Sequence, residues 1–194
     1  MIICTTIGRS GSSFLALFFK NCGLDIGGDR WFKTFKAGME NKKALAINAM
    51  LVSHLIKCEN INIYEAWSGI HSLNSDLAKD PQFMMHPDII ENWWHVRKDI
   101  KIIYLDRDFK KIAESQKKVP EWTGPVYRCF PEMMVKQERA FLDRVAELEI
   151  PIKRFTFPDF LYEPNTVINQ LKEWVDLPDD APEIWDKLID GNKH

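Results

Sequence analysis

TTIGRSGSSFLALFF, residues 5–19, is the stretch on which the fold of this chain turns. Two glycines, one arginine and three serines separate the apolar start IICTT (residues 2–6) from a run holding Phe14, Leu15, Leu17, Phe18 and Phe19. The flanks predict a short buried strand and then a buried helix over 13–22, stopped at Gly23. Two accounts of the turn between them compete. A Gly/Ser turn with a serine at the helix N-cap needs no ligand. A strand, a glycine-rich turn and a helix N-terminus in succession also aim backbone N–H groups into one concavity, where the helix adds partial positive charge. In that case Arg9 adds a fixed cation with a planar donor fork, and Ser12 and Ser13 can both cap the helix and donate to a phosphate oxygen. The nucleoside-triphosphate loop G-x-x-x-x-G-K-[ST] is not met. Counted from Gly8, its glycine and lysine fall on Ser13 and Phe14.

Outward from this stretch, strand and helix patterns alternate. A helix is predicted over 42–57, a strand at INIY (61–64), a short third strand at Phe83-Met84-Met85 and a helix over 88–98. KIIYL (101–105) is the clearest strand, followed by a helix over 108–118 and a Pro/Gly-punctuated loop at 119–130. A long amphipathic helix over 132–148, a last strand at IKRFTF (152–157) and helices near 164–175 and 182–189 complete the order. This alternation predicts an α/β fold: a three-layer sandwich with a mainly parallel central sheet and a P-loop-like phosphate cradle after the first strand, in a single domain over residues 1–194. In such sheets ligands sit at the carboxyl ends of the strands, so the residues that follow each strand are the ones to inspect.

The bulk numbers restrict the function classes. Of 194 residues, 45% are hydrophobic and 28% charged, an ordinary globular profile, and the formal net charge of −2 gives no global basic field for nucleic acid. The four cysteines, Cys4, Cys22, Cys58 and Cys129, form no CxxC pair, so neither a zinc site nor a disulfide framework is expected. The first apolar run starts at Ile2 and no stretch of about 18 apolar residues occurs, so the expectation is a cytoplasmic protein without a leader or a membrane partner.

A second cationic site follows the KIIYL strand. Arg107 stands at the strand end, between Asp106 and Asp108, and Ser115 lies eight residues on, two helical turns deeper. An arginine and a hydroxyl so placed can grip one phosphate from two sides, although an arginine paired to Asp106 or Asp108 would need no ligand. Together with the cradle after the first strand, this site points to a nucleotide with phosphates at both ends of its ribose.

On these residues the sequence resembles the sulfotransferases that use 3′-phosphoadenosine 5′-phosphosulfate (PAPS). GRSGSS (8–13) resembles their 5′-phosphosulfate loop. IIYLDRDFKKIAES (102–115) has the Arg-to-Ser spacing of their 3′-phosphate motif. KDPQFMMHP (79–87) is similar to a segment that precedes the 3′-phosphate strand in several branches. IKRFTFPDFLYEPNTVINQLKEWVDLP (152–178) resembles their closing unit of strand, acidic-aromatic turn, helix and short Leu-Pro end. The resemblance implies transfer of a sulfuryl group from PAPS to a hydroxyl or amine, with 3′,5′-bisphosphoadenosine (PAP) as product, no metal, and a small-molecule or glycan acceptor. It implies that Gly8, Arg9, Ser10, Gly11, Ser12 and Ser13 hold the 5′ end, that Arg9 and the loop amides stabilise the leaving phosphate, and that Arg107 and Ser115 hold the 3′-phosphate. His86 is the first candidate for the general base and Glu65, at the end of the INIY strand, the alternative. Lys79 and Asp80 are further candidates to line the same mouth. The chain departs from the family at Met84, where cytosolic members carry a Lys two residues before a catalytic His, and at Phe109, where Pro is common. Two rival functions share this architecture: a non-catalytic nucleotide-binding protein, and a P-loop small-molecule kinase, which the missing Gly-Lys-Ser/Thr disfavours.

Overall fold

The computed structural model describes residues 1–6, 11–27, 41–56, 62–80, 82–117 and 131–191. Among these, four strands form one parallel sheet in the order β2-β1-β3-β4. They are β1 (Ile2–Thr5), β2 (Leu77–Lys79), β3 (Lys101–Asp106) and β4 (Ile152–Thr156). The register pairs Cys4 with Lys79 and with Ile103, and Asp106 with Thr156, so the four carboxyl ends lie along one rim.

The helices are α1 (Ser12–Asn21), α2 (Lys42–Leu55), α3 (Ile63–Ser72), α4 (Gln82–Met85), α5 (Asp88–Val96), α6 (Phe109–Lys117), α7 (Pro131–Glu147), α8 (Pro164–Lys172) and α9 (Ala181–Gly191), with a 3₁₀ turn over Asp159–Tyr162. The two-residue period of the strands divides them between the faces of the sheet. Ile3, Ala78, Ile102 and Tyr104 turn to one face and pack with side chains of α2, α3, α4, α5, α6 and α7. Ile2, Cys4, Leu77, Ile103, Leu105 and Phe155 turn to the other, against α1, α8 and α9. The predicted three-layer sandwich is therefore present, with its apolar strands buried on both sides.

Two of the expected strands are absent. Asn62, Ile63 and Tyr64 of that segment open helix α3 instead: the Asn62 side chain accepts from Tyr64 N–H at 3.1 Å as an N-cap, and Ala66 and Ile70 are buried four residues apart; Ile61 lies outside the described residues. Phe83-Met84-Met85 lies in the short helix α4, whose start is set by the Asp80 carboxyl group accepting from Gln82 N–H at 2.9 Å. The strand that was expected there is LAK (77–79), six residues earlier.

The chain enters β2's outer edge at Asn41, a fully buried N-cap. Its side-chain oxygen accepts from Lys43 and Ala44 N–H, its Nδ2 donates to Leu77 O at 3.0 Å, and its backbone N–H donates to Lys79 O at 3.3 Å. Gly27 approaches the Asn41 amide so closely that a Cβ would overlap it, and its φ of 72° is a conformation suited to glycine.

Candidate functional site

The strand order locates the site before any side chain is considered. From β1 the chain runs to β2 on one side and then returns to β3 on the other, so the connections diverge between β1 and β3. A crevice at the carboxyl ends of two such strands is the usual ligand position in open parallel sheets. At that place the structure brings together Thr6, Gly11, Arg107 and Phe157.

Gly11 opens α1 as its N-cap with φ 84° and ψ 1°, and among the described residues no side chain caps the helix. Ser12 and Ser13 therefore lie inside the first turn rather than at the N-cap, which corrects the capping role expected for them; Ser12 is buried and Ser13 half-buried. The glycine is required for two reasons. Its backbone is left-handed, and a Cβ would lie 2.6 Å from Phe157 Cδ2 and 3.0 Å from Phe160 Cε1. Gly8, Arg9 and Ser10 fall outside the described residues. The strand that leads into them is tied across the crevice, since the Thr6 hydroxyl donates to Leu105 O at 2.9 Å.

Arg107 follows β3. Its guanidinium carbon lies 4.6 Å from the centre of the Phe157 ring. Of the flanking carboxylates, Asp106 pairs with Arg154 at 3.1 Å, and Asp108 caps α6 by accepting from Lys111 N–H at 3.0 Å. Ser115 sits half-buried on α6 three residues after the buried Ile112, so it shares the inward face of that helix.

Phe157 was not picked out from the sequence. It is the first residue after β4, and the rule of inspecting each strand's end would have found it. Its backbone N–H donates to Asp106 O at 2.7 Å, and its ring lies between Gly11 and Arg107. Phe160, 6.0 Å away, continues the aromatic packing to Phe14 and Trp185 and so fixes the start of α1 against this corner.

Lys79 and Asp80 end β2 on the same rim. Lys79 is only 5% exposed. By alternation it shares the face of Leu77 and Cys4, which is the α1 side of the sheet, and its charge acts on the neighbouring Cys4 thiol. A buried ammonium thus stands next to the strand that feeds the turn. Asp80 is fully buried and held from every side. Its Oδ2 accepts from Asn48 Nδ2 at 2.8 Å, Asn48 Oδ1 accepts from Trp93 Nε1 at 2.8 Å, and Asp80 O accepts from the Thr5 hydroxyl at 3.0 Å.

The two candidate bases are placed differently from expectation. His86 does not end a strand: it follows α4, with its N–H donating to Gln82 O at 2.9 Å. Helix α4 starts three residues after β2 ends and packs against β1 and α7, so His86 lies at the far end of a helical turn rather than at a strand end. Partial burial holds its pKa below the ordinary histidine value, with Asp88 pulling weakly the other way. Glu65 is exposed in the first turn of α3, a helix that packs on α2 and α5. The strand that was to aim it at the carboxyl rim does not exist. The Pro/Gly-punctuated loop expected at 119–130 lies outside the described residues. Among the described residues no helix is long and apolar enough to cross a membrane.

No family model and no curated protein matches the chain. Among solved structures, the fold is similar to the sulfotransferase domain from the curacin biosynthetic pathway, with 21% sequence identity over 92% of this chain and 74% of that one and a TM-score of 0.57. At this identity the likeness is one of fold: the chain has a sulfotransferase-like α/β fold built on a parallel four-stranded sheet.

Proposed function

We propose that this chain is a sulfotransferase that moves a sulfuryl group from PAPS to a hydroxyl or amine of a small molecule or glycan. One observation carries the proposal. A left-handed glycine opening a helix after β1 and an arginine at the end of adjacent β3 flank a single crevice, and each is in contact with Phe157. Two anion sites so joined suit a nucleotide phosphorylated at both ends of its ribose. The fold likeness supports the same reaction class.

In this proposal the turn 8–13 and the N-terminus of α1 receive the 5′ end, with Gly8, Arg9, Ser10, Gly11, Ser12 and Ser13 as donors. Lys79 supplies from β2 the ammonium that the turn itself lacks. Arg107 and Ser115 receive the 3′-phosphate. The acceptor oxygen or nitrogen bonds to sulfur, the bond from sulfur to the 5′-phosphate oxygen breaks, and the leaving PAP takes the electron pair. Arg9 and Lys79 stabilise the charge that grows on it. The acceptor proton goes to the imidazole of His86, which burial keeps neutral near pH 7. Glu65 is the less well-placed candidate for this step because it is exposed on α3, which packs on α2 and α5.

Calorimetric titration with PAP beside ADP, each with and without Mg²⁺, tests the reading. Metal-independent binding of PAP with little for ADP is expected. Preference for ADP with Mg²⁺ would make the chain a kinase. Binding of PAP with no turnover of PAPS on any acceptor would leave a non-catalytic nucleotide binder.

A further inference from the structure

The geometry points to a role for Phe157 that lies beyond holding the fold: we infer that its ring is the spacer that fixes Arg107 relative to the start of α1, and so makes the ribose 3′-phosphate a condition of tight binding. The inference rests on the reading of these two places as the two phosphate sites. Three contacts carry it. The Phe157 N–H is bonded to Asp106 O, immediately before Arg107. The face of the ring lies under the Arg107 guanidinium at 4.6 Å, which holds the planar fork of that side chain in one orientation. The ring edge closes on Gly11 so tightly that no Cβ fits, so α1 cannot move closer without displacing the ring.

The two sites are therefore one rigid unit. The ring is braced from behind by Phe160, which itself packs on Phe14 of α1 and on Trp185 of α9. A nucleotide with only a 5′-phosphate engages one end of this unit. A bisphosphate engages both, and gains from a separation that is set before it binds. Phe157 is in this sense a positioning residue for Arg107, and the selectivity belongs to the pair.

The test is the ratio of PAP affinity to adenosine 5′-monophosphate affinity, measured by calorimetry on the full chain. Phe157→Leu is expected to reduce that ratio about tenfold, the size of a lost shielded cation–π contact. Phe157→Tyr, which keeps the ring, is expected to preserve it. Arg107→Ala combined with Phe157→Leu is expected to be no worse in this ratio than Arg107→Ala alone, since both act through one guanidinium. Gly11→Ala keeps the ring but displaces it, and is expected to lower the ratio as well; it serves if Phe157→Leu does not fold. A wild-type ratio near one would overturn the two-site reading itself. A high wild-type ratio that survives both Phe157→Leu and Gly11→Ala, or fully additive effects of Phe157 and Arg107, would overturn the spacer role and leave the two-site reading standing.

Discussion

His86 has a defined protonation state in the pH range where the proposed reaction needs it. Burial disfavours its charged form, so its pKa lies below 6.5, and the imidazole is neutral at pH 7 and remains so somewhat into the acid range. As the base, it should give kcat/KM an acid limb that falls only as the pH drops below about 6.5. His86→Gln should lower kcat by roughly 10²- to 10⁴-fold and remove that limb while PAP affinity stays unchanged. A limb of the same midpoint in the variant would place the base elsewhere. At this scale the sequence was informative about Arg107 and Gly11, whose positions after a strand and before a helix follow from local pattern. It marked Phe157 only as a residue at a strand end; that its ring touches residues 146 and 50 positions away has no local signature.

Secondary elements were legible where one periodicity ran long enough. The strand at KIIYL and the helices that flank it fall within about a residue or two of expectation. INIY failed because four residues with alternating apolar side chains satisfy the strand period while Asn62 also satisfies a helix cap. FMM failed because Phe83 and Met84 are adjacent and both buried, which a strand between two layers allows and a short helix pressed into the core allows equally. The true β2 is three residues long and ends in a buried lysine, too short and too polar to announce itself. What holds it is a chain of side-chain bonds, Trp93 to Asn48 to Asp80, linking α5, α2 and the end of β2. Asn48→Leu should cost roughly 3 kcal/mol, since it strands a buried indole N–H and a buried carboxyl oxygen together. Chemical denaturation would measure this, and a loss under about 0.5 kcal/mol would mean that other groups satisfy both partners. Trp93→Phe should cost on the order of 2–3 kcal/mol, since it leaves a cavity at a fully buried indole as well as an unpaired Asn48 oxygen.

The whole molecule follows from strand order. Parallel strands buried on both faces need a helical layer on each side, and the order 2-1-3-4 puts the point of divergence between β1 and β3. The fold class was readable from alternation alone; the order was not, because long-range pairing leaves no trace in local pattern. Cys4 offers a probe of the assembled sheet. Burial pushes its thiol up to about 12, with Lys79 opposing, while Cys22 at the end of α1 is pushed to about 11. Alkylation at pH 8, followed residue by residue in the mass spectrometer, should modify half-buried Cys22 first and Cys4 only through opening of the sheet. Bound PAP should slow the Cys4 reaction further by mass action. Equal rates at the two thiols would mean that β1 opens locally. One feature of the outer strand bears on behaviour at high concentration. A sheet edge offers its carbonyls to any passing chain, and runaway strand addition is the route to aggregates. At β2 the two outward carbonyls, Leu77 and Lys79, are already taken by Asn41, through its amide and its main chain. One asparagine thus closes that margin of the sheet to a further strand, and would keep a protein with such apolar strands from polymerising through it.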